Sequence, residues 1–360
     1  MKKVAIIGTV GVPANYGGFE TLVENLISLN KNDQLIYTIY CSSKAYKIKQ
    51  KTYKGAILKY LNFNANGIQS IIYDIVSLIK ATKDNDTILI LGVSGCCILP
   101  IYRFFSNKKL IVNIDGLEHK RDKWNKWIKL FLKFSEKMAV KYANIIIADN
   151  KGIQDYVFNE YQSKSKLIAY GGDHVFTELS PNVESKILSN YQVLPNHYAF
   201  CVCRIEPENN VHTTLEAYKQ NKQTLLFIGN WEKSNYGKKL YNYYSQFKNI
   251  KLAMPEYDIK ILNVLRKNCS LYIHGHSAGG TNPSLVEAMF FKKAILAYDV
   301  VYNRETTENK AIYFQNTQTL NQALEETSKD LLNKTSQDMF EIANQKYTWK
   351  TIVKQYESLY

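Results

Sequence analysis

The sequence predicts an α/β protein of two successive Rossmann-like domains, and two observations carry that expectation. Short apolar runs rich in β-branched residues alternate with amphipathic helical stretches along the chain, the mark of repeated strand–helix units and a parallel sheet. The alternation lapses once, across roughly residues 173–196, a polar piece holding Pro181 and Pro195, and then resumes. A length of 360 residues suits two domains of ordinary size. The expected division is a first domain at 1–175, a linker at 176–196, a second domain at 197–345 and a C-terminal helix at 346–360 returning to the first. A cleft is expected between the domains.

In the first half, the strand candidates are 4–8, 35–41, 57–63, 87–93, 110–115, 145–149 and 167–171, with helical patterns such as 19–29 and 68–81 between them. The second series is 199–205, 224–230, 250–254, 271–276, 294–300 and 311–314, and three helical segments follow. The opening Met1-Lys2-Lys3 looks like a signal n-region, but the apolar run stops after Ile7, so a buried strand is the expectation. The uncharged stretch 87–102 contains Gly92, Gly95 and Pro100 and is too short for a membrane span. The six cysteines form no CxxC pair and read as reduced core thiols.

Lysine and arginine number 46 against 32 acids, a formal charge of +14. Only five cations are arginine: Arg103, Arg121, Arg204, Arg266 and Arg304. Eight cations and two acids lie between Lys120 and Lys141, so a net +6 concentrates there. At helical periodicity Trp124, Trp127, Ile128, Phe131, Phe134 and Met138 share one face, and Lys126, Lys129, Lys133 and Lys137 form the opposite one. The lysine face is either a solvated surface or a surface for anionic lipid. Nucleic acid is disfavoured, because the aromatics lie opposite the lysines rather than among them.

Ligands of such sheets bind beyond the carboxyl ends of the strands, which sorts the motifs. Asp84-Asn85-Asp86 has metal-binding spacing but precedes its strand, at the wrong end, and reads as a turn. After the first strand, Gly17 and Gly18 enter a helix, where bare backbone lets a phosphate or sugar approach the amides. Pro13 breaks the dinucleotide GxGxxG pattern, and Cys41-Ser42-Ser43 offers no acid for a ribose, so NAD is disfavoured. In the second domain the run Gly279-Gly280-Thr281-Asn282-Pro283 makes a glycine-rich loop at a helix start, suited to a diphosphate. Asn282 is the expected N-cap and Pro283 the first helical residue. Glu287, one turn on, is placed to accept from sugar hydroxyls, or is merely a solvated acid. Arg204, at a strand end, is a candidate phosphate fork, and Arg304 a weaker one. Gly275-His276-Ser277-Ala278-Gly279 has the nucleophile-elbow spacing, but every histidine precedes Ser277, the wrong order for that triad.

Together these stretches resemble retaining glycosyltransferases of the GT-B fold, family 4, and within it the rhamnosyltransferase-type branch of bacterial polysaccharide assembly. The matching segments are 11–21, Asp115-Gly116-Leu117-Glu118-His119-Lys120-Arg121, Ala148-Asp149-Asn150-Lys151-Gly152, 204–210 and 279–289. The resemblance implies a nucleotide-sugar donor, often dTDP-L-rhamnose, a sugar acceptor on a lipid diphosphate carrier, no metal and no separate cofactor. It implies diphosphate contacts from Gly17, Gly18 and Arg204, and the nucleoside ribose at Glu287. Asp115 and His119 are the expected positioning groups for acceptor or sugar. The expected location is the inner face of the cell membrane, peripherally bound. The chain departs from the wider family at Gly279, where a glutamate is usual, and near Asn209, where a lysine is usual. The missing glutamate at Gly279 leaves open a non-catalytic nucleotide-sugar or glycan-carrier binding protein, and a nucleotide-sugar epimerase on the same fold, acting without an acceptor, is a second rival.

Overall fold

The computed structural model describes residues 1–14, 17–121 and 124–360. Asn15 and Tyr16 of the glycine turn, and Asp122 and Lys123 of the basic run, therefore lie outside the described residues. The chain divides into two compact units, Met1–Tyr170 with Trp349–Tyr360, and Gly171–Thr348.

The first unit holds an eight-stranded sheet. Its strands are β1 (Lys2–Ile7), β2 (Leu35–Ser42), β3 (Thr52–Tyr53), β4 (Ala56–Leu61), β5 (Thr87–Leu91), β6 (Lys109–Asn113), β7 (Ile145–Ala148) and β8 (Lys166–Leu167). They lie in the order β3-β4-β2-β1-β5-β6-β7-β8. All pairings are parallel except the short β3–β4 edge. Val4, Ala5, Ile6 and Ile7 are buried, as a parallel strand covered on both faces requires. The C-terminal helix Trp349–Glu357 belongs to this unit. Its buried Trp349, Ile352, Val353 and Tyr356 join the core of β1 and β2, and the Tyr356 hydroxyl accepts from Asn113 Nδ2 at 2.7 Å.

The second unit holds a six-stranded parallel sheet of β9 (Tyr198–Val202), β10 (Thr224–Ile228), β11 (Ile250–Ala253), β12 (Leu271–His274), β13 (Ala294–Tyr298) and β14 (Ile312–Phe314), in the order β11-β10-β9-β12-β13-β14. The expected linker differs from what forms. Pro181 opens a helix, Pro181–Asn190, instead of interrupting structure, since proline fits the first helical position, where no intrahelical N–H bond is lost. Lys267 reaches Glu184 of that helix at 2.7 Å, and the Tyr191 hydroxyl donates to Glu256 at 3.0 Å. The segment is thus part of the second unit. Most expected strands ran one or two residues past their real ends, because buried apolar residues continue into the loops, as Ile114 and Ile205 do.

The helix Lys126–Tyr142 turns differently from its hydrophobic pattern. Leu132, Ser135, Glu136, Met138 and Ala139 are buried, while Trp127 is 79% exposed, Leu130 53% and Phe134 50%. Two buried polar side chains decide the rotation. The Ser135 hydroxyl donates to the Val93 carbonyl at 2.5 Å, and Glu136 accepts from three partners described below. Turning the aromatics inward would strand both, and an unmet buried carboxylate costs more than a few exposed rings gain. The four lysines do not share a solvent face either. Lys126 and Lys137 are exposed, Lys129 is half-buried, and Lys133 is paired with Glu160 at 2.8 Å.

Candidate active site

At the carboxyl edge of the first sheet, the loop after β1 is held by Glu20. Its Oε1 accepts from the Thr9 hydroxyl and the Val10 amide, both at 2.8 Å. Gly17 precedes the helix Gly18–Ser28 with φ +131°, and a Cβ there would lie 2.0 Å from Glu20 Oε2. Glycine at 17 is thus demanded by backbone and neighbour alike. Gly18 is the first helical residue.

Asp115 follows β6 in the left-handed region, φ 58°, and its amide donates to Asn113 Oδ1 at 3.0 Å. A non-glycine residue held there carries backbone strain of the kind that collects at functional sites. Asp149, just after β7, is buried. Burial first, then the negative charges of Asp115, Asp149 and Glu20 among others, push the Tyr170 hydroxyl far above its usual range. Asp115 and Asp149, after β6 and β7, and Glu20 of the helix Gly18–Ser28 thus all bear on one buried phenol. Asp149 was within a matching segment but carried no assigned role; an acid closing an apolar strand was the available signal.

His119 sits in a short turn, Glu118–Lys120, and its Nδ1 lies 3.0 Å from Glu136 Oε2. Glu136 Oε1 accepts from the hydroxyls of Tyr156 at 2.7 Å and Tyr161 at 2.6 Å. Burial would raise this carboxyl, but the donors His119, Tyr161 and Tyr156 outweigh it and hold it below the ordinary range. The His119 ring is thereby oriented with Nε2 on the other side, 3.5 Å from the Tyr156 hydroxyl. A carboxylate on one ring nitrogen fixes the tautomer and leaves the second nitrogen for proton chemistry. In the sequence Glu136 is one acid among lysines, and its partners at 119, 156 and 161 are too distant along the chain to announce it.

In the second unit, two loops at neighbouring strand ends are stitched together. Arg204 follows β9. Asn209 Nδ2 donates to the Arg204 carbonyl at 2.6 Å, Asn210 Nδ2 donates to the Gly275 carbonyl at 2.9 Å, and the Ser277 backbone amide and hydroxyl donate to the Glu208 carbonyl at 2.9 and 2.7 Å. Gly275 has no room for a Cβ, which would lie 2.3 Å from the Asn209 carbonyl oxygen. The Arg204 turn and the glycine loop after β12 thus share one edge. The Arg204 guanidinium is only loosely tied, with Nε 3.9 Å from Glu206 Oε2. Asn209, where the family usually carries lysine, is buried and closes the turn instead.

Gly279 has φ +111° with open space around it. A side chain at 279 would need a backbone that L residues rarely adopt, so the missing glutamate goes with a reshaped loop rather than a simple truncation. Gly280 follows, Thr281 is buried, and Asn282 caps the helix Pro283–Met289, its Oδ1 accepting from the Ser284 amide at 3.0 Å. His274 and His276 stack at 4.5 Å beside this loop, and burial drives His274 down to about 3, keeping it neutral.

Glu287 is not a solvated acid. Its Oε2 lies 2.5 Å from Nη2 of Arg266, which is 3% exposed, and its Oε1 is 3.6 Å from His174 Nε2. Arg304 is engaged away from the Arg204 turn: it is held by both oxygens of Asp299, at 2.5 and 2.9 Å, and lies over the Tyr313 ring. Ser277, tied to a carbonyl, has no triad. Asp84 pairs with Lys59, and Asp86 accepts from the Lys3 amide at 2.9 Å, so this acidic pair caps structure. Among the described residues no group of three potential metal ligands is gathered, and no helix is long and apolar enough to cross a membrane.

Family models match each half of the chain separately. Residues 192–346 match the family of glycosyl transferases group 1, and residues 1–173 match a domain of unknown function, DUF1972. No curated protein sequence matches the chain. Among solved structures, it is similar to a sucrose-phosphate synthase from Thermosynechococcus elongatus, with TM-score 0.82 and 13% identity over 100% of this chain and 98% of that one. Similar too is Anabaena Alr3699/HepE, solved in complex with UDP-glucose: TM-score 0.74, 16% identity, covering 100% and 99%. The S. aureus MnaA–UDP structure superposes with TM-score 0.64 and 15% identity over 100% and 98%. The fold is that of the GT-B glycosyltransferases. The second unit carries a glycosyl transferases group 1 domain, and Arg204, Gly279 and Glu287 lie within it.

Proposed function

We propose that the chain is a retaining, metal-independent glycosyltransferase that moves a sugar, L-rhamnose from dTDP-L-rhamnose, to a lipid-linked saccharide in surface polysaccharide synthesis. The observation that carries this reading is the loosely tied Arg204 guanidinium on the same strand edge as the glycine loop, inside the group 1 domain. Cleaving a sugar–phosphate bond leaves a diphosphate whose growing charge needs a preorganised cation and amide donors. Arg204 and the backbone of Gly279, Gly280 and Thr281 are assigned that task, Glu287 the nucleoside sugar, and Asn282 the setting of the loop. Gly17 and Gly18 are assigned to donor contacts. Asp115 and His119 are assigned to sugar or acceptor positioning, with Glu136 orienting His119. The test is release of nucleoside diphosphate from a panel of nucleotide sugars, with and without a lipid-diphosphate sugar. Acceptor-dependent release supports the reading. Interconversion of donors without acceptor supports an epimerase, and binding without turnover supports the binding-protein reading that the reshaped Gly279 loop motivates.

We assign the acceptor side to an anionic membrane surface, at the inner face, through a face that keeps Lys126 and Lys137 of the four lysines but not Lys129 or Lys133. Trp127, Leu130 and Phe134 form an exposed helical stripe with Lys137 and Lys141, and Lys126 flanks it. The one acid of this helix, Glu136, is buried. The adjoining helix Leu99–Phe105 also exposes Ile101, Phe104 and Phe105. Exposed aromatics rimmed by cations suit an interface where rings enter the headgroup layer and lysines meet lipid phosphate. Changing Trp127, Leu130 and Phe134 together to serine should reduce flotation with anionic liposomes by about tenfold or more. Lys133→Glu, at a lysine already paired, should change flotation far less than Lys137→Glu. Unchanged flotation of the triple variant removes this face from the account.

A further inference from the structure

Between Asp33 and Asp74 the chain carries six lysines and no acid. Two of the six are neutralised in the fold, Lys54 by Glu24 and Lys59 by Asp84. The other four, Lys44, Lys47, Lys49 and Lys51, lie in the loop that leaves β2 and are exposed, and none is ion-paired among the described residues. Lys44 donates to Gln69 Oε1 at 3.4 Å. Ile48, between two of these lysines, is 79% exposed. The loop is built into the unit at both ends. The Ser42 amide donates to the Val10 carbonyl at 2.9 Å and the Tyr46 hydroxyl to the Pro13 carbonyl at 3.0 Å, while the Lys51 carbonyl accepts from the Leu58 amide at 2.9 Å. One end is thus fixed to the loop after β1 and the other to β4. Like charges gathered on a fixed loop with no acid among them repel one another, and an anionic ligand offsets that cost. Because β1, β2 and β6 run parallel in one sheet, these lysines share its carboxyl edge with Gly17 and Asp115.

We infer that the loop 44–51 docks the diphosphate of the lipid-linked acceptor, with Ile48 meeting the hydrocarbon beside it. The inference rests on the acceptor proposed above. A saccharide joined directly to a lipid diphosphate brings that diphosphate to the edge that holds the sugar being extended, and lysines bind phosphate as mobile point charges. The task differs from that of the Trp127 face, which lies on the outer surface of helices and meets bulk lipid. Nucleic acid is disfavoured. The aromatics of this segment, Tyr46 and Tyr53, are half-buried and tied through their hydroxyls to Pro13 and Glu24, and the exposed apolar side chain, Ile48, offers no ring for a base to stack on.

The test is calorimetric titration of the full chain with farnesyl diphosphate, a soluble lipid diphosphate. Wild type is compared with a loop variant, in which Lys47, Lys49 and Lys51 are changed together to glutamine, and with a control in which Lys31, Lys164 and Lys222 are. The control removes the same charge from exposed lysines that precede β2, β8 and β10, at the amino ends of strands. The loop variant should bind about tenfold or more weakly than wild type, and the control within about twofold of it. Flotation with phosphatidylglycerol vesicles should differ by less than about twofold between the two variants. All six lysines are exposed, so melting temperatures should match. A loop variant that binds farnesyl diphosphate as the control does overturns the inference, as does wild type that does not bind it. A loop variant whose flotation falls as far as its farnesyl diphosphate binding also overturns it, since the loop would then be a surface for lipid in general. Failure of the transferase reading looks different. Lysine-dependent binding of farnesyl diphosphate by a protein that shows no acceptor-dependent release from any nucleotide sugar upholds the docking loop and removes the reaction.

Discussion

Replacing Arg204 with alanine is expected to lower kcat by about a hundredfold or more, the scale on which removal of one charge-stabilising donor slows transfer. The expectation follows from what Arg204 does not do. Its side chain reaches Glu206 only at 3.9 Å, whereas its backbone carbonyl, which any residue supplies, is what Asn209 closes upon. The turn should therefore survive the substitution, and thermal stability should change by less than about 0.5 kcal/mol. Arg204→Lys should recover part of kcat, since a point charge replaces a planar fork without matching its geometry. Steady-state kinetics beside a thermal melt check this. Full activity in Arg204→Ala sinks the site assignment, and a melted protein sinks the claim that the side chain is functional rather than structural.

Glu136→Gln should harm both stability and turnover. The carboxylate accepts from His119, Tyr156 and Tyr161 with its two oxygens. An amide of the same shape offers one oxygen and turns N–H groups toward donors, so buried hydrogen bonds are lost without changing volume. The expected cost is roughly 3 kcal/mol, a fall in melting temperature of roughly 6–12 °C for a unit of this size. The pH dependence has a definite sign. The folded carboxyl titrates below its ordinary value, so its contribution is complete above the ordinary carboxylate range and is lost as pH falls through that range to the lower folded value. Acid melts of the wild type should therefore show a steeper loss of stability than those of Glu136→Gln. On turnover, the variant lets the His119 ring choose its tautomer, and about a tenfold drop in kcat with a shifted pH profile is expected if His119 handles a proton. A pH–rate profile identical to wild type makes the Glu136 cluster structural only.

The alternation of strands and helices was legible because each parallel strand is buried on both faces and each loop turns on local chemistry. Asn282 and Pro283, the start of a helix by their residue types alone, are the start of that helix. What local pattern could not reveal was pairing across distance. The rotation of the helix Lys126–Tyr142 depends on Ser135 meeting the Val93 carbonyl and on Glu136 meeting His119. The hydrophobic pattern, counting side chains one by one, put Trp127 and Phe134 inside. Arg266 and Glu287 stand 21 positions apart on separate helices, so nothing in either neighbourhood announced the other. The helix at Pro181 is legible in principle, since Ser180, Pro181 and Glu184 make an ordinary helix start, but a proline in a polar stretch marks a turn equally well. Gly279 and Asn209 read as losses from a family pattern, and only the φ of one and the hydrogen bond of the other reveal a reshaped edge.

Transfer of a sugar from a nucleotide donor to an acceptor is the activity proposed for this chain. Its most direct test is mass spectrometry of a lipid-diphosphate saccharide after incubation with the full chain and dTDP-L-rhamnose, with dTDP measured in the same reaction. The account predicts an acceptor heavier by one deoxyhexose residue, with dTDP released in equal amount. An acceptor left unchanged with every nucleotide sugar in the panel, by a protein that nonetheless binds the donor, would contradict it.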